Sequence, residues 1–176
     1  MGRSTAAVTR SPRVTAKRER RRGEILHAAL SAFRERGYHA TTLDHIAEHL
    51  GVRKTALYHY FPDKESILHA CHVESLAELD RILGAARRLP GPAERLRHLI
   101  VEHVRVMTDT LGGSPLAFEV SALGAERQAG IIAGRDRYER ELRRVIEQGI
   151  RTGVFRRVDA KVAAFAILGS INWVAR

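Results

Sequence analysis

Cysteine is nearly absent from this sequence: Cys71 stands alone among 176 residues. One thiol makes no disulfide within its own chain, so Cys71 reads as a small helix residue and nothing here depends on oxidation. Long apolar runs are missing too. None approaches the ~18 residues that span a bilayer, and no apolar stretch follows the basic N-terminus as it does in a secretory leader. A cytoplasmic protein is expected, with no membrane partner. The sequence also holds no glycine-rich phosphate loop, no nucleophile elbow and no internal repeat, so no cofactor and no metal is predicted.

Negative charge is the remaining shortage, with 20 acidic against 30 basic residues and a formal net charge of +10. The imbalance is local. Residues 1–22 carry eight cations against Glu19 alone, which accounts for seven of the ten charges. Residues 1–16 are poor in apolar side chains and cannot bury enough surface to order themselves, which predicts a flexible basic arm. Such an arm is suited to neutralising phosphates or reaching a minor groove.

With 44% hydrophobic and 28% charged residues, the rest of the chain is long enough to enclose a core. It is organised around residues 41–61, TTLDHIAEHLGVRKTALYHYF, where two short amphipathic segments meet at a glycine. At about 100° per residue, Leu43, Ile46, Ala47 and Leu50 fall on one arc of the first segment. Asp44, His45, Glu48 and His49 fall on the other. Gly51 supplies the tight reversal and Val52 returns to the core, which is the grammar of a helix-turn-helix over residues 42–61. In the second helix Leu57, Tyr60 and Phe61 point inward. Lys54, Thr55, Tyr58 and His59 share the outward face, where their donors suit phosphate oxygens and base edges, and small Ala56 allows close approach to a thymine methyl. Arg53 stands at the mouth of that helix, and Thr41 or Thr42 caps the first and offers a phosphate site.

The stretch from Arg21 to Ala70 resembles the N-terminal DNA-binding domain of TetR-type transcriptional regulators. The resemblance is carried by Phe33, Gly37-Tyr38, Thr41-Thr42, Ile46-Ala47, Gly51-Val52, Leu57-Tyr58, Tyr60-Phe61 and Lys64, in that family's order and spacing. The chain departs from the family where Arg53 replaces the usual Ser or Thr cap, and where Thr55-Ala56 replaces a frequent Gly- or Pro-containing pair. The resemblance implies an all-α protein with a helix-turn-helix domain over residues 17–70 and a helical effector-binding and dimerisation domain over residues 71–176. It further implies a homodimer on a near-palindromic double-stranded operator, acting as a ligand-responsive repressor that a small effector releases. Thr42, Arg53, Lys54, Thr55, Ala56, Tyr58, His59 and Lys64 are the expected DNA contacts.

Helices are expected at residues 17–36, 64–88, 93–111, 116–123 and 126–151, with a last one after Asp159. Leu89-Pro90-Gly91-Pro92 is the clearest break. His103 lies on an apolar stripe, so His103, Met107, Phe118 and Tyr138 are the candidate lining of a largely hydrophobic effector pocket. The final helix, VAAFAILGSINWVA, is apolar nearly all round and demands burial on several sides. Ala163, Ala166, Ile167, Ile171 and Trp173 are its expected dimer contacts. Two competing readings stand beside this one. His45, Glu48 and His49 match a five-residue H-x-x-E-H zinc-hydrolase pattern, and the basic arm alone would serve a non-specific DNA-coating protein.

Overall fold

The computed structural model describes residues 12–110 and 119–174, and contains helices and turns but no strand among them. The chain is all-α. Phe118, with the rest of residues 111–118, and the first eleven residues of the basic arm lie outside the described residues. No helix of the described residues is long and apolar enough to cross a membrane.

Helix α1 spans Pro12–Arg36. Its stripe of Ile25, Ala29, Ala32 and Phe33 is at most 1% exposed. The helix starts five residues before the expected Lys17, so residues 12–16 are helical and not part of a loose arm. Once the buried stripe has nucleated the helix, extension through Arg13-Val14-Thr15-Ala16 meets no breaker, and proline suits a first turn. Gly37 ends α1 at φ +76°, a left-handed position that favours glycine, and its N–H reaches Phe33 O at 2.8 Å. Tyr38 folds back on Phe33 with ring centroids 5.3 Å apart.

Helices α2, Leu43–His49, and α3, Lys54–Tyr58, form the expected helix-turn-helix around Gly51, whose φ is +63°. Ile46, Ala47, Leu57 and Phe61 close on α1 and on Ile67, Leu68 and Cys71 of the next helix to make the first core. Cys71 is buried and packs over Leu26 O, and that burial pushes its thiol pKa far up, which makes it unreactive. Helix α4, Lys64–Ala86, continues from this core into a second one. There Leu79, Ile82, Leu83 and Ala86 meet Leu99 of α5, Pro92–Arg105, and Tyr138, Leu142 and Ile146 of α6, Ala125–Arg151.

Helix α5 ends sooner than its apolar stripe predicts. It passes at Val106–Thr110 into a π-helical turn, a wider winding that occurs often at functional sites. Of the expected helix over 116–123, the described residues form a 3-10 turn, Glu119–Ala122, whose Val120 joins Leu123 and Ile131 in the first core. The start of α6 is therefore fixed to the helix-turn-helix domain. Glu65 reinforces the junction by accepting from Gly124 N–H at 3.0 Å and Arg127 Nη1 at 3.1 Å. Helix α7, Ala160–Val174, is capped as expected by Asp159, whose Oδ1 accepts from Lys161 and Val162 N–H at 2.8 and 3.0 Å.

Helix α7 has two distinct faces. Ala164 and Ile171 are 0% and 4% exposed within the chain, and Ala163 and Ile167 pack partly into the second core. Ile171 is thus removed from the expected dimer contacts, because its own subunit already buries it. Val162, Phe165 and Trp173 point outward at 63%, 54% and 69% exposure, with Ala166 beside them.

Candidate nucleic-acid interface

The helix-turn-helix is held rigid by caps that its sequence supplies. Of the two candidate hydroxyls, Thr42 caps α2: its Oγ1 accepts from His45 N–H at 3.3 Å, while His45 Nδ1 accepts from Thr42 N–H at 3.2 Å. This is a reciprocal capping box in which histidine takes the place of the usual Glu or Gln, a substitution that conceals it from a sequence search. Thr41 is 1% exposed and is structural, donating to Ala32 O at 3.0 Å and Gly37 O at 2.7 Å. Helix α3 begins at Arg53 without a side-chain cap, as the departure from Ser or Thr predicts. Its guanidinium is left outside the cap.

Leu57 and Phe61 anchor α3 inward at 1% and 2% exposure, and Arg22 of α1 lies over the Phe61 ring, 4.4 Å from its centroid. With that face fixed, Arg53, Thr55, Tyr58 and His59 are exposed on the opposite side, Tyr58 at 50%. Ala56 is half-buried beside them. Lys54 is tied to Asp44 of α2 at 2.9 Å, which raises its pKa and aims its ammonium along the surface. Thr42 is exposed at the N-cap of α2, the helix that precedes α3.

Lys64 is not a surface cation waiting for phosphate. Its Nζ donates to Tyr38 O at 2.6 Å, Thr41 O at 2.7 Å and His39 O at 3.3 Å, and stands 4.2 Å from the Tyr38 ring centroid. Burial lowers its pKa. These carbonyls belong to the loop between α1 and α2, so Lys64 fastens the start of α4 to the loop that positions Thr42. Lys64→Met is expected to destabilise the domain by about 1.5–3 kcal/mol, the range for hydrogen bonds to a charged group. Urea unfolding checks this; a variant that melts like the parent yet loses DNA would return Lys64 to the phosphate contacts.

The histidines of the H-x-x-E-H match are already engaged. His45 Nδ1 serves the capping box, and His49 reaches His45 O with Nδ1 at 3.0 Å and Glu35 Oε1 with Nε2 at 3.2 Å. A carbonyl and a carboxylate both accept, so His49 favours its doubly protonated form. The bond to the His45 carbonyl, then Glu35, raises its pKa. Among the described residues no group of three His, Cys, Asp or Glu side chains is placed to hold a metal ion.

In the C-terminal half, the structure brings His103 and Tyr138 together edge to face, with centroids 5.1 Å apart, and both are buried. Met107 is buried on the π-helical turn that follows. One turn before Tyr138 on α6, Arg135 belongs to a pair that sequence spacing does not reveal. His72 of α4, 1% exposed, faces Arg135 of α6 across 63 positions of sequence.

Two family models cover most of the chain. Residues 25–71 match the bacterial regulatory proteins of the tetR family, and residues 90–176 match the tetracyclin repressor-like C-terminal domain. The transcriptional repressor KstR2 of Rhodococcus jostii is 31% identical, over 92% of this chain and 80% of its own length. Among solved structures, the TetR-family regulator PfmR of Thermus thermophilus superposes with a TM-score of 0.78 at 35% identity, covering 86% of this chain and 84% of its own. AibR, in complex with isovaleryl coenzyme A and operator DNA, superposes with a TM-score of 0.77 at 28% identity over 88% and 85%. With helix-turn-helix geometry, two matched domains and relatives along nearly its whole length, this chain belongs to the TetR family of transcriptional regulators.

Proposed function

We propose that this regulator is a ligand-responsive repressor that binds a near-palindromic operator as a homodimer and is released by a small, largely apolar effector. One observation carries the DNA-binding part. The inner face of α3 is locked by Leu57 and Phe61, while Arg53, Thr55, Tyr58 and His59 stand exposed on its outer face. A recognition helix needs that combination, since a rigid platform fixes where its donors meet base edges. Two subunits related by a two-fold axis would present these helices to half-sites about 34–36 Å apart, or a multiple of that. The His103, Met107 and Tyr138 core is the effector region, and Val162, Phe165, Ala166 and Trp173 form the face toward the second subunit.

The operator is obtained by selecting genomic fragments on the purified protein and footprinting them. Arg53→Ala and Tyr58→Ala should each weaken operator binding by about 1–3 kcal/mol without lowering the melting temperature. Equal affinity of parent and variants would remove α3 from the interface. A non-specific coating protein would instead bind operator and random duplex alike at every salt concentration.

A further inference from the structure

Helix α1 carries a glycine that its packing does not require. Gly23 lies in the middle of α1 without a positive φ, and a Cβ there would meet nothing within 4 Å. Glycine is the poorest helix former after proline, so a position with room for a side chain gives up stability by keeping it. What the missing side chain leaves is part of a groove of about 380 Å³ between α1 and α4. Leu26 of α1 and Val73 and Ala77 of α4 line it beside Gly23, and Glu19 and Glu74 bring one carboxylate from each helix. A second hollow, about 150 Å³, shares Gly23, Leu26 and Glu74 with it and runs on to Leu30. Neither Glu19 nor Glu74 has a hydrogen-bond or ion-pair partner among the described residues. Arg22, the only lysine or arginine among the described residues of the lining, lies over the Phe61 ring, 4.4 Å from its centroid.

We propose that this groove is a binding site for an aliphatic ammonium cation, apart from the His103 region of the effector domain. The alkyl chain lies along Leu26, Val73 and Ala77, in the space that Gly23 leaves, and the ammonium is met by Glu74 with Glu19 on the opposite wall. A concave site of this size, with apolar walls and a few polar anchors, suits a small molecule. The sign of the occupant follows from the walls, since two unpaired carboxylates beside apolar surface attract a cation and repel an acid. Long-range attraction plays no part, because a net charge of +10 repels an ammonium from the molecule as a whole. The groove also straddles a joint. Ala70 and Cys71 of α4 pack with α1 in the first core, and Leu79, about two turns further along α4, packs in the second. A molecule held by both walls ties the helix-turn-helix domain to the helix that leads out of it.

Calorimetry and thermal shift on the full chain, without DNA, compare straight-chain alkylammonium chlorides from butyl to decyl with the matching alcohols. Binding is read on the free protein, so the result does not depend on the repressor reading. At the best length the ammonium should bind about tenfold or more tightly than the alcohol, the scale of a hydrogen bond to a charged group. The double variant Glu19→Gln, Glu74→Gln changes two exposed side chains and should bring that ratio close to one, while Glu74→Asp should keep part of it. Gly23→Leu fills the groove and should abolish ammonium binding while raising the melting temperature, because leucine favours the helix and its Cβ meets no neighbour. Loss of binding in a more stable protein is not a folding defect. Ammonium binding that survives Gly23→Leu would place the ligand elsewhere and overturn the site. A ratio unchanged by the double variant, alcohols that bind as tightly as the ammoniums, or no ammonium binding at millimolar concentration would overturn it too.

Discussion

Phe165→Asp should leave the subunit folded, dissociate the dimer and lower operator affinity by about 10²–10⁴-fold, the range gained when two linked sites engage together. The expectation follows from the position of Phe165 on α7, 54% exposed between Val162 and Trp173, which are 63% and 69% exposed. These side chains, with Ala166, put exposed apolar groups along one helix, of the kind that marks an association surface. A two-fold contact lets the stripe cover itself. Aspartate costs a lone subunit little at so exposed a position, because surface substitutions usually stay within about 0.5 kcal/mol. At the proposed two-fold contact the same carboxylate would be buried without a partner, which proteins tolerate poorly. Ile167→Asp is the instructive contrast: Ile167 packs partly into the second core, so that variant should unfold rather than dissociate. Sedimentation equilibrium and fluorescence anisotropy on the selected operator read the two effects. A Phe165→Asp protein that remains dimeric, or a monomer that holds a palindromic operator as tightly as the parent, would remove α7 from the interface.

Local signals make the helix-turn-helix legible. Ile46, Ala47, Leu57 and Phe61 are readable from the 3.6-residue period, and Gly37 and Gly51 from the left-handed backbone that their turns require. Asp159 is readable as a cap from its place before an apolar run. What escapes is set by long-range contact. Lys64 looks like any cation beside a DNA-binding helix, and only the folded loop, 23 to 26 positions away, shows that three carbonyls claim its ammonium. His72 and Arg135 carry no mutual signal either, being 63 residues apart. Helix α7 is illegible for the opposite reason. A helix apolar all round has no moment to show which side its own core takes, so Ile171, buried, and Trp173, exposed, look alike in sequence.

Acid should unfold this protein well before its carboxylates alone would, and the buried histidines decide how steeply. An ordinary imidazole titrates near 6.5, whereas burial lowers His72, helped by Arg135, and His103 to about 4. As pH falls below 6.5 the unfolded chain takes up protons that the native state refuses, so stability declines from pH 6.5 down to about 4. It levels off below that, where the native histidines protonate as well. The gap of about 2.5 pH units, at about 1.36 kcal/mol each, amounts to about 3 kcal/mol per histidine. Two such histidines put several kcal/mol at stake, a large share of the stability of a small domain. One device opposes it: Glu35 is lowered and His49 raised, chiefly by the hydrogen bond from His49 to Glu35 and by that from His49 to the His45 carbonyl. Their pairing survives below pH 6.5, and fades as pH rises through the raised His49 value or falls through the lowered Glu35 value. It lies in solvent, however, where ion pairs contribute little, so the buried histidines prevail. The double variant His72→Gln, His103→Phe keeps a donor and an edge-on ring while removing both titrations. Urea unfolding at intervals from pH 7 to pH 4 should show the parent losing most of its stability and the variant losing far less. Parallel curves for the two proteins would mean that these imidazoles are already open to water.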